Sequence, residues 1–179
     1  MIRACAVPVL FVLFLLSLSS ISKAAADPLV PFPDPRVRVM SPALGDAFKV
    51  GMKRSATFRA IVDEIEASNV VVYLVAETQM ETRAAHVGLL GAGGGRRYVK
   101  VSVDPRYKGC TLVGLIGHEL QHAAEIAADP SVDSVARLRA LYQRIGFLVC
   151  EGSHECFDTN EAVEAGRLIE AEMTAGPGR

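Results

Sequence analysis

The segment between two Asp-Pro dipeptides, at 104–105 and 129–130, constrains the fold more than any other part of the chain. A proline disfavours helix in the residue before it, so the two dipeptides set the outer limits of one long element. Apolar residues recur three and four positions apart between them, which predicts an amphipathic helix over about 111–128. Its apolar arc comprises Leu112, Ile116, Leu120, Ala123 and Ala127.

The opposite side of this predicted helix carries His118, Glu119, His122 and Glu125. At about 100° per residue, His122 lies about 40° from His118, while Glu119 lies about 100° round. Two neutral imidazoles one turn apart can bind one metal ion, and a carboxylate beside it can act as a base. A simpler explanation is that these residues form the solvated face of an ordinary helix.

The sequence "GHELQHA" resembles the active-site helix of the zincin metallopeptidases, which carries the H-E-x-x-H motif. The resemblance implies a zincin-like fold and a Zn²⁺ cofactor. It also implies that His118 and His122 are zinc ligands, and that Glu119 is the general base and proton shuttle. The longer metzincin motif is absent, since "AAEIAADP" follows His122.

The third zinc ligand is ambiguous in the sequence. "NEA" at 160–162 is similar to the segment that supplies it in thermolysin-like gluzincins, which implies Glu161. Alternatively, Asp158, Glu161, Ala162 and Ala165 resemble the E-x-x-A-N-x-x-A helix of minigluzincins, which implies Asp158. Small uncharacterised exported bacterial proteins with H-E-L-x-H-A and a later F-E-T segment also align with Asp158, where they have glutamate. We therefore rank Asp158 first and Glu161 second, although both residue types also stabilise a helix N-terminus without metal.

Other residues are candidates for supporting roles. Glu125 is too far along the helix axis from His118 to share its metal ion, so we predict that it supports the ligands from outside the coordination shell. His154 lies in a predicted loop, where it could stabilise a transition state, but lone loop histidines are commonly just exposed. Cys150 and Cys156 are close enough in sequence for a disulfide, although Cys110 could pair with either of them.

The first 26 residues have the pattern of a secretory signal peptide. Arg3 precedes an apolar run over 6–18, and small residues follow at 24–26. We expect this segment to be removed on export, which leaves a periplasmic or secreted protein with no membrane anchor. An uncleaved anchor is the alternative.

The remainder of the chain is long enough for one domain with its own core. Without Arg3 and Lys23, 17 basic residues face 20 acidic ones, with no basic patch and no tryptophan. This composition argues against nucleic acid as a partner.

The rest of the pattern predicts an α+β domain. Five prolines over 28–42 indicate an extended N-terminal segment, which we bound at 27–50, before a zincin-like domain at 51–179. We predict a helix at 55–67, a strand at 70–75, a hairpin formed by "HVGLLG" and "RRYVKVSV", and the histidine helix. After these we predict a helix with Val132, Val135, Leu138, Leu141 and Ile145 buried, an irregular loop, and a last helix from Asp158 to about Met173.

These features together predict an exported zinc-dependent hydrolase, most simply a metallopeptidase that acts on peptides or proteins. The alternative is a zincin-like domain that binds metal or protein without turnover. The second function is favoured by the small size of the chain and by the ambiguous third ligand.

Overall fold

The computed structural model describes residues 34–78, 83–150 and 156–175, which belong to one unit, Pro33–Arg179. The predicted signal peptide at 1–26 and His154 lie outside the described residues. The elements in chain order are β1 (Val37–Val39), α1 (Pro42–Arg54), α2 (Ala56–Glu66), β2 (Val70–Ala76), β3 (Ala85–Gly93), β4 (Arg96–Val103), α3 (Gly109–Ala128), α4 (Val135–Ile145), β5 (Phe147–Cys150), β6 (Cys156–Asp158) and α5 (Asn160–Thr174). The fold is therefore α+β, as predicted.

Four strands form a mixed sheet in the order β1-β2-β4-β3. The pairs β1–β2 and β2–β4 are parallel, whereas β3 runs antiparallel to β4 at one end of the described sheet. Alternate valines of β4 are buried, as its alternating pattern predicts. The predicted hairpin is present: Gly94 and Gly95 join β3 to β4 with φ of 58° and 73°, which glycine adopts without strain.

The helix predicted at 55–67 is α2. Its apolar residues, which recur three and four positions apart, are buried: Phe58, Ile61, Val62 and Ile65. Ser55 caps its N-terminus by accepting a hydrogen bond from the backbone N–H of Phe58 at 2.9 Å.

The predicted extended segment at 27–50 is wrong from residue 42 onward, because α1 begins there. Pro42 occupies the first turn of α1, where its missing N–H has no intrahelical partner to lose. Val37–Val39 are extended, but they pair with β2 and are part of the sheet. The folded domain thus begins well before residue 51.

Helix α3 packs its apolar arc into the core, and α5 lies directly against it. The two helices approach closely at Gly117, where an added Cβ would overlap the Cδ1 atom of Ile169 on α5. Arg97 of β4 closes the other end of α3: its guanidinium donates to the carbonyls of Ile126 and Ala127. Both contacts fix the histidine helix relative to its surroundings.

Two elements near the C-terminus differ from the prediction. Helix α4 buries Leu141 and half-buries Leu138, but Val135 is 69% exposed and Ile145 is 39% exposed, so the predicted apolar face is only partly in the core. The segment predicted as an irregular loop contains β5 and β6, which pair as an antiparallel hairpin. No helix in the described ranges is long and apolar enough to cross a membrane.

Candidate metal centre

The two histidines of α3 lie next to each other at one side of the helix. Their ring centroids are 5.0 Å apart. His122 and Glu119 are 4% and 5% exposed, so this side of α3 is not a solvated face. The simpler explanation from the sequence is therefore wrong, because other elements cover these polar residues.

Strand β6 brings a carboxylate to both imidazoles. The Oδ1 atom of Asp158 lies 3.3 Å from Nε2 of His118 and 3.4 Å from Nε2 of His122. One ligand atom from each of these three residues lies within 4.8 Å of the others, so the group could hold a metal ion. Of the two predicted third ligands, Asp158 is brought to the histidines, whereas Glu161 is an exposed residue in the first turn of α5.

The separation of the Asp158 oxygen from each imidazole nitrogen fits a tetrahedral metal site. Zinc binds imidazole nitrogen and carboxylate oxygen at about 2.0–2.2 Å, so two ligand atoms at a tetrahedral angle are separated by about 3.4 Å. The two distances to Asp158 match this separation. As direct hydrogen bonds they would be long, since N–H···O bonds centre on about 2.9–3.0 Å. The donor set of two imidazoles and one carboxylate is also one that zinc accepts.

Strand β6 is held by a disulfide between Cys150 and Cys156, with Cα atoms 5.2 Å apart. The sequence left three pairings open, and this is the one observed; Cys110 is a free thiol. Asp158 lies two residues after Cys156, so the crosslinked hairpin anchors the strand that carries the carboxylate.

Glu125 supports His122 from the side away from Asp158. Its Oε2 atom lies 2.9 Å from Nδ1 of His122. An ionised Glu125 accepts a hydrogen bond from Nδ1–H, which leaves the lone pair of Nε2 free to bind a metal ion. The role predicted for Glu125 outside the coordination shell agrees with this contact.

Thr159 is a part of the site that the sequence analysis missed. We predicted Asp158 as the cap of the last helix, but Thr159 is the N-cap: its Oγ1 accepts from the backbone N–H of Ala162 at 3.1 Å. The same hydroxyl donates to Oε1 of Glu125 at 2.6 Å. In "DTNE", Asp158 lies three residues before Glu161, which is the spacing of a capping box. The sequence pattern alone therefore favours Asp158 over Thr159 as the cap.

Tyr142 of α4 was also missed. Its ring lies edge-on to that of His122, with centroids 5.3 Å apart, and its hydroxyl donates to the backbone oxygen of His122 at 3.2 Å. Burial, and the nearby charge of Glu125, raise the pKa of Tyr142 well above its ordinary value. It therefore stays a phenol and a donor. Tyr142 is not among the residues of the apolar face predicted for this helix, so the pattern carried no signal for this contact.

The carboxylates make the site favourable for a positive charge. Burial by itself lowers the pKa of His122, but the nearby carboxylates of Asp158 and Glu125 outweigh burial and raise the pKa to about 9. Burial by itself raises the pKa of Asp158, but the contacts with His118 and His122 hold it well below its ordinary value. A metal ion would replace the proton that these groups share.

Glu119 has a different environment. Burial raises the pKa of its carboxyl to about 7, although the charges of His122 and His118 oppose that shift. A carboxyl group with a pKa near neutrality can both accept and return a proton at physiological pH.

The centre opens into a cleft of about 820 Å³. One wall is formed by β3, including His86 and Val87, and another by α4 and the β5–β6 hairpin, including Val135 and Phe157. The exposed position of Val135 is thus explained, because it lines the cleft rather than the core. His118, Glu119, His122 and Asp158 lie at the cleft surface.

The chain matches no protein-family model, no curated protein and no solved structure.

Proposed function

We propose that the protein is an exported zinc-dependent hydrolase, most simply a metallopeptidase. The observation that carries the proposal is the position of Asp158 Oδ1, 3.3 and 3.4 Å from the two Nε2 atoms, as a tetrahedral zinc site requires. In this proposal His118, His122 and Asp158 would hold the ion, and all three side chains line the cleft. The resemblance of "GHELQHA" to the zincin motif points to the same three-ligand chemistry.

The catalytic base in this proposal is Glu119. When bound, zinc would supply Lewis-acid chemistry, which polarises a substrate carbonyl and lowers the pKa of water to about 7. The carboxylate of Glu119 would accept a proton from the attacking water as the water oxygen bonds to the carbonyl carbon, and would donate that proton to the amine nitrogen as the C–N bond breaks.

An extended peptide is the substrate that the cleft fits best. Strand β3 has β4 on one side only in the described sheet, and its residues line the cleft beside the metal centre. A peptide could pair with this edge of β3 as an added strand, which would carry the scissile bond past Glu119.

Export is the part of the proposal that depends on the first 26 residues. Their signal-peptide pattern supports a location in the periplasm or outside the cell. The Cys150–Cys156 disulfide supports such a location, since disulfides persist mainly in oxidising compartments.

The test compares the purified protein with its Glu119→Gln variant. We expect about one zinc per chain in both, cleavage of a peptide library or casein by the wild type, and cleavage about 10²- to 10⁴-fold slower in the variant, because the base is lost while the ligands remain. Glu161→Gln is the matched control and should leave the rate unchanged.

Unchanged turnover in Glu119→Gln would contradict the assigned base. Stoichiometric zinc in a wild type that cleaves no peptide would favour the alternative, a metal- or protein-binding domain without turnover.

A further inference from the structure

Thr159 joins the two sides of the candidate metal centre. Its backbone N–H donates to Oδ1 of Asp158 at 2.7 Å, the same oxygen atom that faces both imidazoles. Its hydroxyl donates to Glu125, which in turn accepts from Nδ1 of His122. A chain of hydrogen bonds thus runs from the third ligand through one residue to the second histidine.

The hydroxyl of the fully buried Thr159 acts both as an acceptor and as a donor in this arrangement. Thr159 is 0% exposed, and its Oγ1 both accepts from the N–H of Ala162 and donates to Glu125. Because the cap bond fixes the hydroxyl on α5, its hydrogen can be directed only toward the remaining partner, the carboxylate of Glu125 on α3. An ordinary N-cap needs the first of these bonds but not the second.

We propose that Thr159 is a positioning residue of the metal centre. Its N–H sets the rotamer of Asp158, and its hydroxyl holds Glu125 in the orientation that keeps a proton on Nδ1 of His122 and the Nε2 lone pair toward the ion. This inference deepens the proposed function, since it rests on the same three ligands, and it concerns metal affinity rather than turnover.

The chain offers a matched control in Ser55. Ser55 is also 0% exposed, also caps a helix, and also donates to a carboxylate on another helix, that of Glu172. Ser55 and Glu172 are absent from the cleft lining and from the metal group. Removing either hydroxyl breaks the same two kinds of bond, but only Thr159 is connected to the ligands.

The experiment measures the zinc dissociation constant of the full chain by competition with a chromophoric chelator, and stability by urea unfolding in excess chelator. We expect Thr159→Val to weaken zinc binding about 10- to 100-fold, as loss of such supporting contacts does elsewhere. Thr159→Ser should restore it to within about threefold. Ser55→Ala should lower stability and leave zinc affinity unchanged.

A double-mutant cycle tests whether Thr159 acts on zinc affinity through Glu125. If Thr159 acts through Glu125, the effect of Thr159→Val on zinc affinity is expected to shrink in a Glu125→Gln background. If Thr159→Val does not fold, Thr159→Gly removes the hydroxyl at the smallest cost to the cap and should weaken zinc binding in the same way.

The proposal is overturned if the hydroxyl-free variant binds zinc as tightly as the wild type, or if Ser55→Ala weakens zinc binding equally. It is also overturned if the wild type binds no zinc. Zinc binding without peptide cleavage would end the hydrolase proposal and leave this one intact, so the two failures are distinguishable.

Discussion

At the scale of single residues, the centre combines ligands that differ in how they could be predicted. His118, Glu119 and His122 belong to one helix, so their spacing alone predicts their common direction. Asp158 lies in a strand 36 residues beyond His122, and only a resemblance to known protein families predicted it as a ligand. Thr159 and Tyr142 depend on tertiary contacts of other elements, for which the sequence contains no local pattern.

The departure from glutamate at position 158 leads to a prediction. Oδ1 of Asp158 already lies at ligand separation from both histidines, and the Thr159 N–H holds it there. Asp158→Glu would move the carboxylate by about one methylene and is expected to weaken zinc binding at least about tenfold, even though glutamate is a common zinc ligand. The measurement is the zinc dissociation constant.

The control for this change is Asp158→Asn, which keeps the length and removes the charge. It should also weaken binding, and comparison of the two variants separates geometry from charge. Equal or tighter zinc binding by Asp158→Glu would show that the backbone of β6 adjusts freely, contrary to the geometry described above.

At the scale of elements, regular periodicity predicted α2, β2, the β3–β4 hairpin and α3. Prolines concealed α1, because a proline in a first turn and a proline in a linker look alike in sequence. Strands β5 and β6 have four and three residues, too few for an alternating pattern to stand out. The disulfide, rather than the pattern, explains how so short a pair persists.

The close packing of α3 on α5 leads to a second prediction, at Gly117, next to His118. Gly117→Ala would place a Cβ against Cδ1 of Ile169, which is fully buried, and should lower the free energy of unfolding by about 1–3 kcal/mol. Ile169→Val removes that Cδ1 atom and alone should cost about 1 kcal/mol. The double variant is expected to be more stable than the sum of the two changes indicates.

Urea unfolding in excess chelator measures all three variants without any contribution from bound metal. Strictly additive losses would mean that the two helices do not meet at this pair.

At the scale of the whole molecule, the α+β fold class could be predicted from the sequence, but the order of the strands in the sheet could not. The longer strands and most helices could be assigned from local pattern, but the insertion of β4 between β2 and β3 is a non-local pairing that periodicity does not encode. The same applies to the contact of α5 with α2, where Glu172 accepts hydrogen bonds from Ser55 and Thr57.

This contact predicts how stability changes with pH. Burial by itself raises the pKa of Glu172, but the hydrogen bonds from Ser55 and Thr57 lower it below its ordinary value. A lowered folded-state pKa means that the ionised group stabilises the fold above the unfolded pKa, about 4.3, and that this contribution is lost as the pH falls through the folded pKa.

Glu172→Gln should therefore lower the free energy of unfolding by about 1 kcal/mol at pH 7, and the difference from the wild type should shrink below about pH 4. Urea unfolding from pH 7 to pH 3 in excess chelator measures this difference in the free energy of unfolding. Glu64→Gln, at an exposed position of α2, is the control and should show little difference at any pH. A difference between wild type and Glu172→Gln that persists to pH 3 would contradict the assigned hydrogen bonds.

The crosslink between Cys150 and Cys156 makes the candidate metal centre depend on the redox conditions around the chain. Two short strands with separate thiols have little to keep them paired, so a newly made chain in a reducing cytosol would present its histidines without a fixed third donor. Maturation of the centre would then wait for oxidation. The three candidate ligands would then come together only in an oxidising compartment.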